Sequence, residues 1–271
     1  MQKTILITGS TDGIGLEAAK MMATDGHNLL LHGRNAKKLD DAGRMLAALA
    51  GGGRIETYLA DLSRIADVEA LATAVAAKHE TLDVLINNAG VYKSASPITP
   101  DGRDVRFAVN IIAPYLLTQR LLPLLDASGR IINLSSAAQS PVDPKALAGQ
   151  VRLSDGAAYA QSKLAVTMWS FHLASVLKEG GPAVIAVNPG SLLGSKMVKE
   201  AFGIAGGDIR IGADILKRAA LDASFAKASG QYFDNDKGQF SAPHPDALDP
   251  GKTEEIIGVI ERLLAKTPTH D

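Results

Sequence analysis

Residues 4–15 read TILITGSTDGIG: a short apolar run that ends in three glycines, Gly9, Gly13 and Gly15. Four residues rich in β-branched and leucine side chains suit a strand covered on both faces. The glycines follow at once, where a strand would hand over to a helix. Glycine accepts backbone dihedrals closed to other residues and lets an anion come close to the main chain. A helix starting near Gly13 turns its unpaired N–H groups and the positive end of its dipole toward that anion. The spacing G-x-x-x-G-x-G is one residue wider at the front than the common dinucleotide fingerprint. It predicts a pyrophosphate cradle at the first strand–helix junction, and Thr11, Asp12 and Ile14 join the glycines as candidate cofactor contacts.

The same alternation continues outward. Strands are predicted at 4–8, 28–32, 54–59, 82–87, 130–135, 183–188 and 231–233. Helical periodicity lies between them, as in 64–78, where Ile65, Val68, Leu71 and Val75 share a face and Ser63 is the expected N-cap. A second stripe, Ile256, Ile260, Leu263 and Leu264, predicts a helix over 253–265. Strand–helix alternation of this kind predicts an α/β fold with a doubly wound, mostly parallel sheet of about seven strands. Two segments break the rhythm, 137–156 and 189–208. Both are rich in glycine, serine or proline, and both follow a strand's C-terminal end, where open parallel sheets bind ligands.

Composition narrows the function. The 271 residues are 46% hydrophobic, enough for a sizeable core in one domain. The net charge of −1, with basic residues dispersed, argues against nucleic acid as a partner. The chain has no cysteine, so disulfides, thiolate metal sites and a cysteine nucleophile are out, and a reducing cytoplasm is expected. Its six histidines form no H-x-x-H pattern, so no metal site is predicted. The N-terminal apolar run is too short to span a membrane, and none is expected elsewhere.

Other strand ends extend the ligand reading. The second strand closes as HGRN (32–35). A site for NAD would favour an acidic residue there, to bind the ribose 2′-hydroxyl. Arg34 suits a 2′-phosphate instead, so NADP(H) is expected over NAD(H), with Asn35 beside it. In LADLS (59–63), Asp61 could accept from an adenine amino group and Leu62 could pack on the ring, although Asp61 or Ser63 could equally cap the next helix. NNAG (87–90) closes the fourth strand. There the small Ala89 and Gly90 would let a cofactor pass, and Asn87 or Asn88 would tie strands together.

TGSTDGIG, NNAG, NLSS (133–136), YAQSK (159–163) and NPG (188–190) occur in the order and spacing of the short-chain dehydrogenases/reductases, which this chain resembles over about residues 3–235. The long stretch from Ser136 to Tyr159 and the segment 107–125 resemble the retinol-dehydrogenase-like and protochlorophyllide-reductase-like branch. The resemblance implies a single Rossmann-like domain over 1–271, with 137–156 as an insert and 190–228 as a substrate lid. It also implies a catalytic set of Asn110, Ser136, Tyr159 and Lys163. Tyr159 would exchange the proton, and Lys163, one helical turn on, would favour the phenolate and hold the nicotinamide ribose. Ser136, rather than Ser135, would bind the substrate oxygen. The Asn110 carbonyl would hold a relay water, and the sequence supplies a local reason. Pro114 has no N–H to offer the carbonyl four residues back, so a kinked helix is expected. Asn88, Ala89, Gly90, Pro189, Gly190 and Ser191 complete the implied cofactor contacts, with Ser195 standing where a threonine is common.

The implied activity is NADP(H)-dependent interconversion of an alcohol and a ketone or aldehyde, with Tyr159 as acid/base. Alternatives are a C=C reductase of the same fold and a cofactor-binding sensor without turnover. Leu192, Leu193, Met197, Val198, Phe202 and Ile204 in the lid suggest a small apolar or amphipathic substrate. Family members often pair through the helices holding Asn110 and Tyr159, so a homodimer or homotetramer is a further expectation, although the branch with the insert includes monomers. Trp169 and Phe171 read as core or interface, and DNDKGQ (234–239) as the turn after the last strand.

Overall fold

In the computed structural model, which describes residues 1–265, strands and helices alternate. β1 (Thr4–Ile7) leads into α1 (Gly13–Thr24), β2 (Asn28–Gly33) into α2 (Ala36–Leu49) and β3 (Ile55–Leu59) into α3 (Ile65–Ala76). After β4 (Val84–Asn87) comes a composite helix: α4 (Val105–Phe107), a π-helical stretch (Ala108–Ile112) and α5 (Ala113–Leu121). β5 (Arg130–Leu134) is followed by α6 (Pro144–Leu147) and the long α7 (Asp155–Leu177). β6 (Ala183–Asn188), α8 (Lys196–Phe202), α9 (Ile209–Leu221), β7 (Gln231–Asp234), β8 (Gln239–Ser241) and α10 (Pro250–Ala265) complete the order.

The strands form one sheet ordered β3-β2-β1-β4-β5-β6-β7-β8. Every pair is parallel except β7 with β8. The order reverses between β1 and β4, which opens a crevice at their C-terminal ends. Alternate residues of each strand feed opposite cores. Ile5 and Ile7 pack with α1, α2 and α9, whereas Leu6 packs with α3, α5 and α7. That is why these strands are apolar throughout.

Several expectations need correction. The sheet has eight strands rather than seven, because DNDKGQ is a hairpin turn with Asp234 paired to Gln239 and Phe233 to Phe240. A three-residue strand is too short to show a period. Ser63 does not cap α3. Arg64 holds that position without a side-chain bond, and Asp67 accepts the Asp61 N–H at 3.1 Å. Of the segment 190–228, residues 209–221 are not a lid. They form α9, whose Ala213, Ile215, Leu216 and Ala219 are buried in the core beside α1. Only 191–208 stands at the strand ends. Its base is closed by Gly194 N–H to the Gly207 carbonyl (2.7 Å) and Gly207 N–H to the Leu192 carbonyl (2.8 Å). A Cβ on Gly206 would lie 2.7 Å from both Gly194 N and the Leu192 carbonyl, so this crossing requires glycine.

Residues 137–156 hold α6 and end in the first turn of α7. They lie along that helix through Ser140 N–H to the Ala160 carbonyl (3.3 Å) and Asp143 N–H to Gln161 Oε1 (3.0 Å). The stretch Val105–Leu124 is long and apolar enough, by length and composition, to cross a membrane, but 72% of the window is buried within the fold. α10 packs against α7 and reaches α5, the two helices expected to pair with a second copy. Ile256, Ile257 and Ile260 share a core cluster with Tyr115, Trp169 and Leu173, and the Tyr115 hydroxyl donates to Glu261 Oε1 at 3.0 Å.

Candidate active site

The turn after β1 sits in the crevice. Gly9 has a φ of +66°, and a Cβ there would lie 2.9 Å from the Ala89 Cα, so the turns after β1 and β4 touch. Asn88 hangs one turn on the other, since its Nδ2 donates to the carbonyls of Thr8 (2.8 Å) and Gly9 (3.0 Å). Asn87 ties β4 to β5 and α5 through Asn133 Oδ1 (2.8 Å) and Thr118 Oγ1 (3.0 Å). α1 begins at Gly13 with Asp12 as N-cap, its Oδ1 accepting the Gly13 N–H at 2.9 Å. The other Asp12 oxygen pairs with Lys38 at 2.7 Å, and that bond holds the carboxyl below its usual range. Ile14 faces α9, where a Cβ on Gly212 would meet its side chain at 3.0 Å, and Thr11 covers Gly33. This glycine-lined cradle at a twelve-residue helix's N-terminus fits a dinucleotide pyrophosphate.

The adenosine end is less uniform. Arg34 is exposed at the end of β2 and makes no ion pair among the described residues. Asn35 is the N-cap of α2, its Oδ1 accepting the Lys38 N–H at 2.9 Å. Asp61 Oδ1 accepts both the N–H (3.0 Å) and hydroxyl (2.8 Å) of Ser63. Leu62 is 7% exposed and belongs to the core, which leaves it little surface for stacking on a ring.

Ser136, Tyr159, Lys163 and Asn110 converge across the crevice. α7 starts at its cap Ser154 and carries Tyr159 and Lys163 on one face, the Lys163 Nζ lying 5.5 Å from the Tyr159 ring centroid. Lys163 is buried, donates to the Leu134 carbonyl at 2.7 Å, and is lowered to about 8 by burial. A Cβ on Gly90 would lie 3.7 Å from that Nζ and 3.6 Å from Asn110 Oδ1, so Gly90 borders both. Burial pushes the Tyr159 phenol up, while the neighbouring Ser136 side chain opposes it. The two serines separate cleanly. Ser135 is 2% exposed and its hydroxyl is engaged with the Lys163 carbonyl (3.0 Å) and Thr167 Oγ1 (2.7 Å), whereas Ser136 reaches Tyr159.

The Asn110 side chain clamps two segments. It accepts the Val91 N–H (2.8 Å) and donates to the Val91 carbonyl (3.0 Å) and to Ser162 Oγ (2.9 Å). Its backbone lies in the π-helical stretch, where Ala113 N–H reaches the Ala108 carbonyl. Instead of a simple kink, the ladder widens just before Pro114, the residue that cannot donate.

Pro189, Gly190 and Ser191 follow β6. Their loop is held by the β7–β8 turn. Asp236 accepts the Ser191 N–H (2.8 Å) and hydroxyl (2.6 Å), and Asn235 Nδ2 donates to the Pro189 carbonyl (2.9 Å). Ser195 caps α8 through Val198 N–H (3.2 Å). Leu193 is buried, whereas Leu192 and Ile204 are exposed.

Three residues beside the site gave no sequence signal. Tyr92 tilts against Tyr159 with centroids 4.9 Å apart. Arg106, 2% exposed, grips Asp104 through Nε (2.8 Å) and Nη2 (2.6 Å) and bonds Asp155 in the first turn of α7. His32, an apparent strand residue, is buried beneath the glycine turn.

The family model for short chain dehydrogenase matches residues 3–203. Retinol dehydrogenase 13 of Homo sapiens is 32% identical over 281 residues, covering 97% of this chain and 84% of that protein. A solved protein of Mycobacterium paratuberculosis is similar at a TM-score of 0.79 and 25% identity, over 97% of this chain and 94% of its own. A short chain dehydrogenase of Shigella flexneri, solved in complex with NADP, is similar at 0.68 and 27% identity, over 86% and 97%.

Proposed function

Since this chain belongs to the short-chain dehydrogenase family and is an oxidoreductase, we propose that it moves hydride between NADP(H) and the carbon of an alcohol or carbonyl, with Tyr159 exchanging the proton. The convergence of Ser136, Tyr159 and Lys163 at the mouth of the glycine cradle carries this reading. The nicotinamide supplies or takes the hydride. The chain's own residues do the rest. Ser136 and Tyr159 hydrogen-bond the substrate oxygen and fix it in one place. Tyr159 donates its proton to that oxygen in reduction and removes it in oxidation. Lys163 supplies positive charge beside the phenol, and Asn110 holds the β4 turn against α7 so that these groups stay in register.

The exposed Leu192 and Ile204 at the strand ends, with Tyr92 beside Tyr159, favour an apolar or amphipathic substrate. A panel of aldehydes, ketones and secondary alcohols followed at the NADPH absorbance tests the reaction class. NADPH binding without turnover on any of them would overturn it.

Arg34 is assigned the cofactor 2′-phosphate, which an exposed, unpaired guanidinium at the end of β2 suits. Arg34→Asp is expected to shift the NADPH/NADH ratio of kcat/KM roughly tenfold or more toward NADH. An unchanged ratio removes the assignment.

α10, packed on α7 and bonded to Tyr115 of α5, supports a monomer, because pairing through these helices would first require α10 to be displaced. Light scattering on the purified chain should give the mass of one copy. A dimer mass would place pairing at another surface or displace α10.

A further inference from the structure

His32 occupies the penultimate position of β2, 3% exposed, directly under the dinucleotide turn. Its ring has two partners. Nδ1 lies 3.1 Å from the Gly9 N–H, and Nε2 lies 3.1 Å from the Ala60 carbonyl. A backbone N–H can only donate and a carbonyl can only accept. The imidazole must therefore be neutral, with its proton on Nε2 and its lone pair on Nδ1. The backbone of His32 is bonded to the same turn, its N–H donating to Ser10 Oγ (3.0 Å) and its carbonyl accepting the Ser10 N–H (3.0 Å). One ring thus joins the ends of β1, β2 and β3, the three strand ends that build the adenosine and pyrophosphate half of the cradle.

Resting on the reading of this crevice as an NADP(H) site, we propose that His32 is the positioning residue of the pyrophosphate turn. It acts through the Gly9 N–H, and the Ala60 carbonyl selects the tautomer that leaves Nδ1 free to accept. Gly9 needs such an anchor. Its φ of +66° and its contact with Ala89 define how far the turn stands from the helix start at Gly13. Without an acceptor beneath it, the half-buried Gly9 N–H would be unpaired, and the turn would rise toward the space the pyrophosphate takes. The electrostatics agree with a neutral ring. Burial lowers the His32 pKa to about 4, although the Ala60 carbonyl and the Asp61 carboxylate both favour the cation.

Two amide substitutions separate the ring's functions. Asn carries an oxygen near the place of Nδ1, so His32→Asn keeps the acceptor for Gly9. Gln carries its amide near the place of Nε2, so His32→Gln keeps the Ala60 bond and loses Gly9. Both cut a ring from the core, so both should melt earlier than wild type. NADPH fluorescence titration should show His32→Asn within about threefold of wild type and His32→Gln weaker by roughly tenfold. A ring that merely filled the core would lower stability in both and leave the affinity of the folded protein unchanged. Equal affinities, or the reverse order, overturn the proposal. Imidazole ¹⁵N shifts of the wild type check it without any variant: the unprotonated nitrogen should be Nδ1, and a cationic or Nδ1-protonated ring at neutral pH overturns it. Failure of wild type to bind NADPH would instead strike the proposed function itself.

Discussion

Tyr159→Phe is expected to lower kcat by roughly two to four orders of magnitude while NADPH binds as it does to wild type. The substitution deletes one oxygen. The ring keeps its contact with Tyr92 and its place beside Lys163, so the cradle and α7 stay as they are. What disappears is the hydroxyl that neighbours Ser136 and would exchange the proton. Stopped-flow binding and steady-state rates on one reactive carbonyl check both halves, and retained turnover removes the acid/base role.

The pH profile belongs to the same test. Reduction needs the phenol protonated and the neighbouring ammonium charged. Burial raises Tyr159 above its ordinary value and lowers Lys163 to about 8. Both groups therefore have the required form at low pH, and the ammonium is the first to be lost as pH rises. The reductive rate should fall as pH passes upward through about 8, and a rate that climbs through this range contradicts the assignment.

Arg106→Met is expected to destabilise the fold by about 3–5 kcal/mol, because removing one partner strands a buried charge. For a chain of this size that is a fall in Tm on the order of 10 °C. Arg106 is 2% exposed and Asp104 8%, and two guanidinium nitrogens meet the two Asp104 oxygens. A third contact runs to Asp155 in the first turn of α7, and the same Nη1 lies 3.3 Å from the Tyr92 carbonyl. The Arg106 guanidinium thus joins the start of the helix bearing Tyr159 to the segment bearing Tyr92. Methionine nearly matches the aliphatic stem but leaves the Asp104 carboxylate without its partner. Arg106→Met with Asp104→Asn should recover part of the loss, since no carboxylate is then stranded at that position. A single variant that melts within a degree or two of wild type would show that the network carries little energy.

The α/β class, the strand–helix order, the glycine turn at Gly9–Gly15 and the Tyr159–Lys163 spacing on one helix face were legible from the chain alone. Each of these depends on short-range rules: a two-residue or 3.6-residue period, a positive φ, a spacing of four along a helix. Pro114 also acts locally, so the irregular backbone at Asn110 was legible, although its π-helical form was not. The family resemblance already favoured Ser136 over Ser135, but the physical reason is tertiary: Ser135 is held by Thr167 and the Lys163 carbonyl, some thirty residues away in sequence. Tertiary structure also decided that α9 belongs to the core and that α10 packs on α7, since one amphipathic stripe does not say what it will cover. His32, Arg106 and Asp236 were hidden for the same reason. Their sequence neighbours give no sign of the Gly9 N–H, the Asp155 carboxylate or the Ser191 loop that each one holds, because those partners arrive only when distant strand ends are brought together by the sheet.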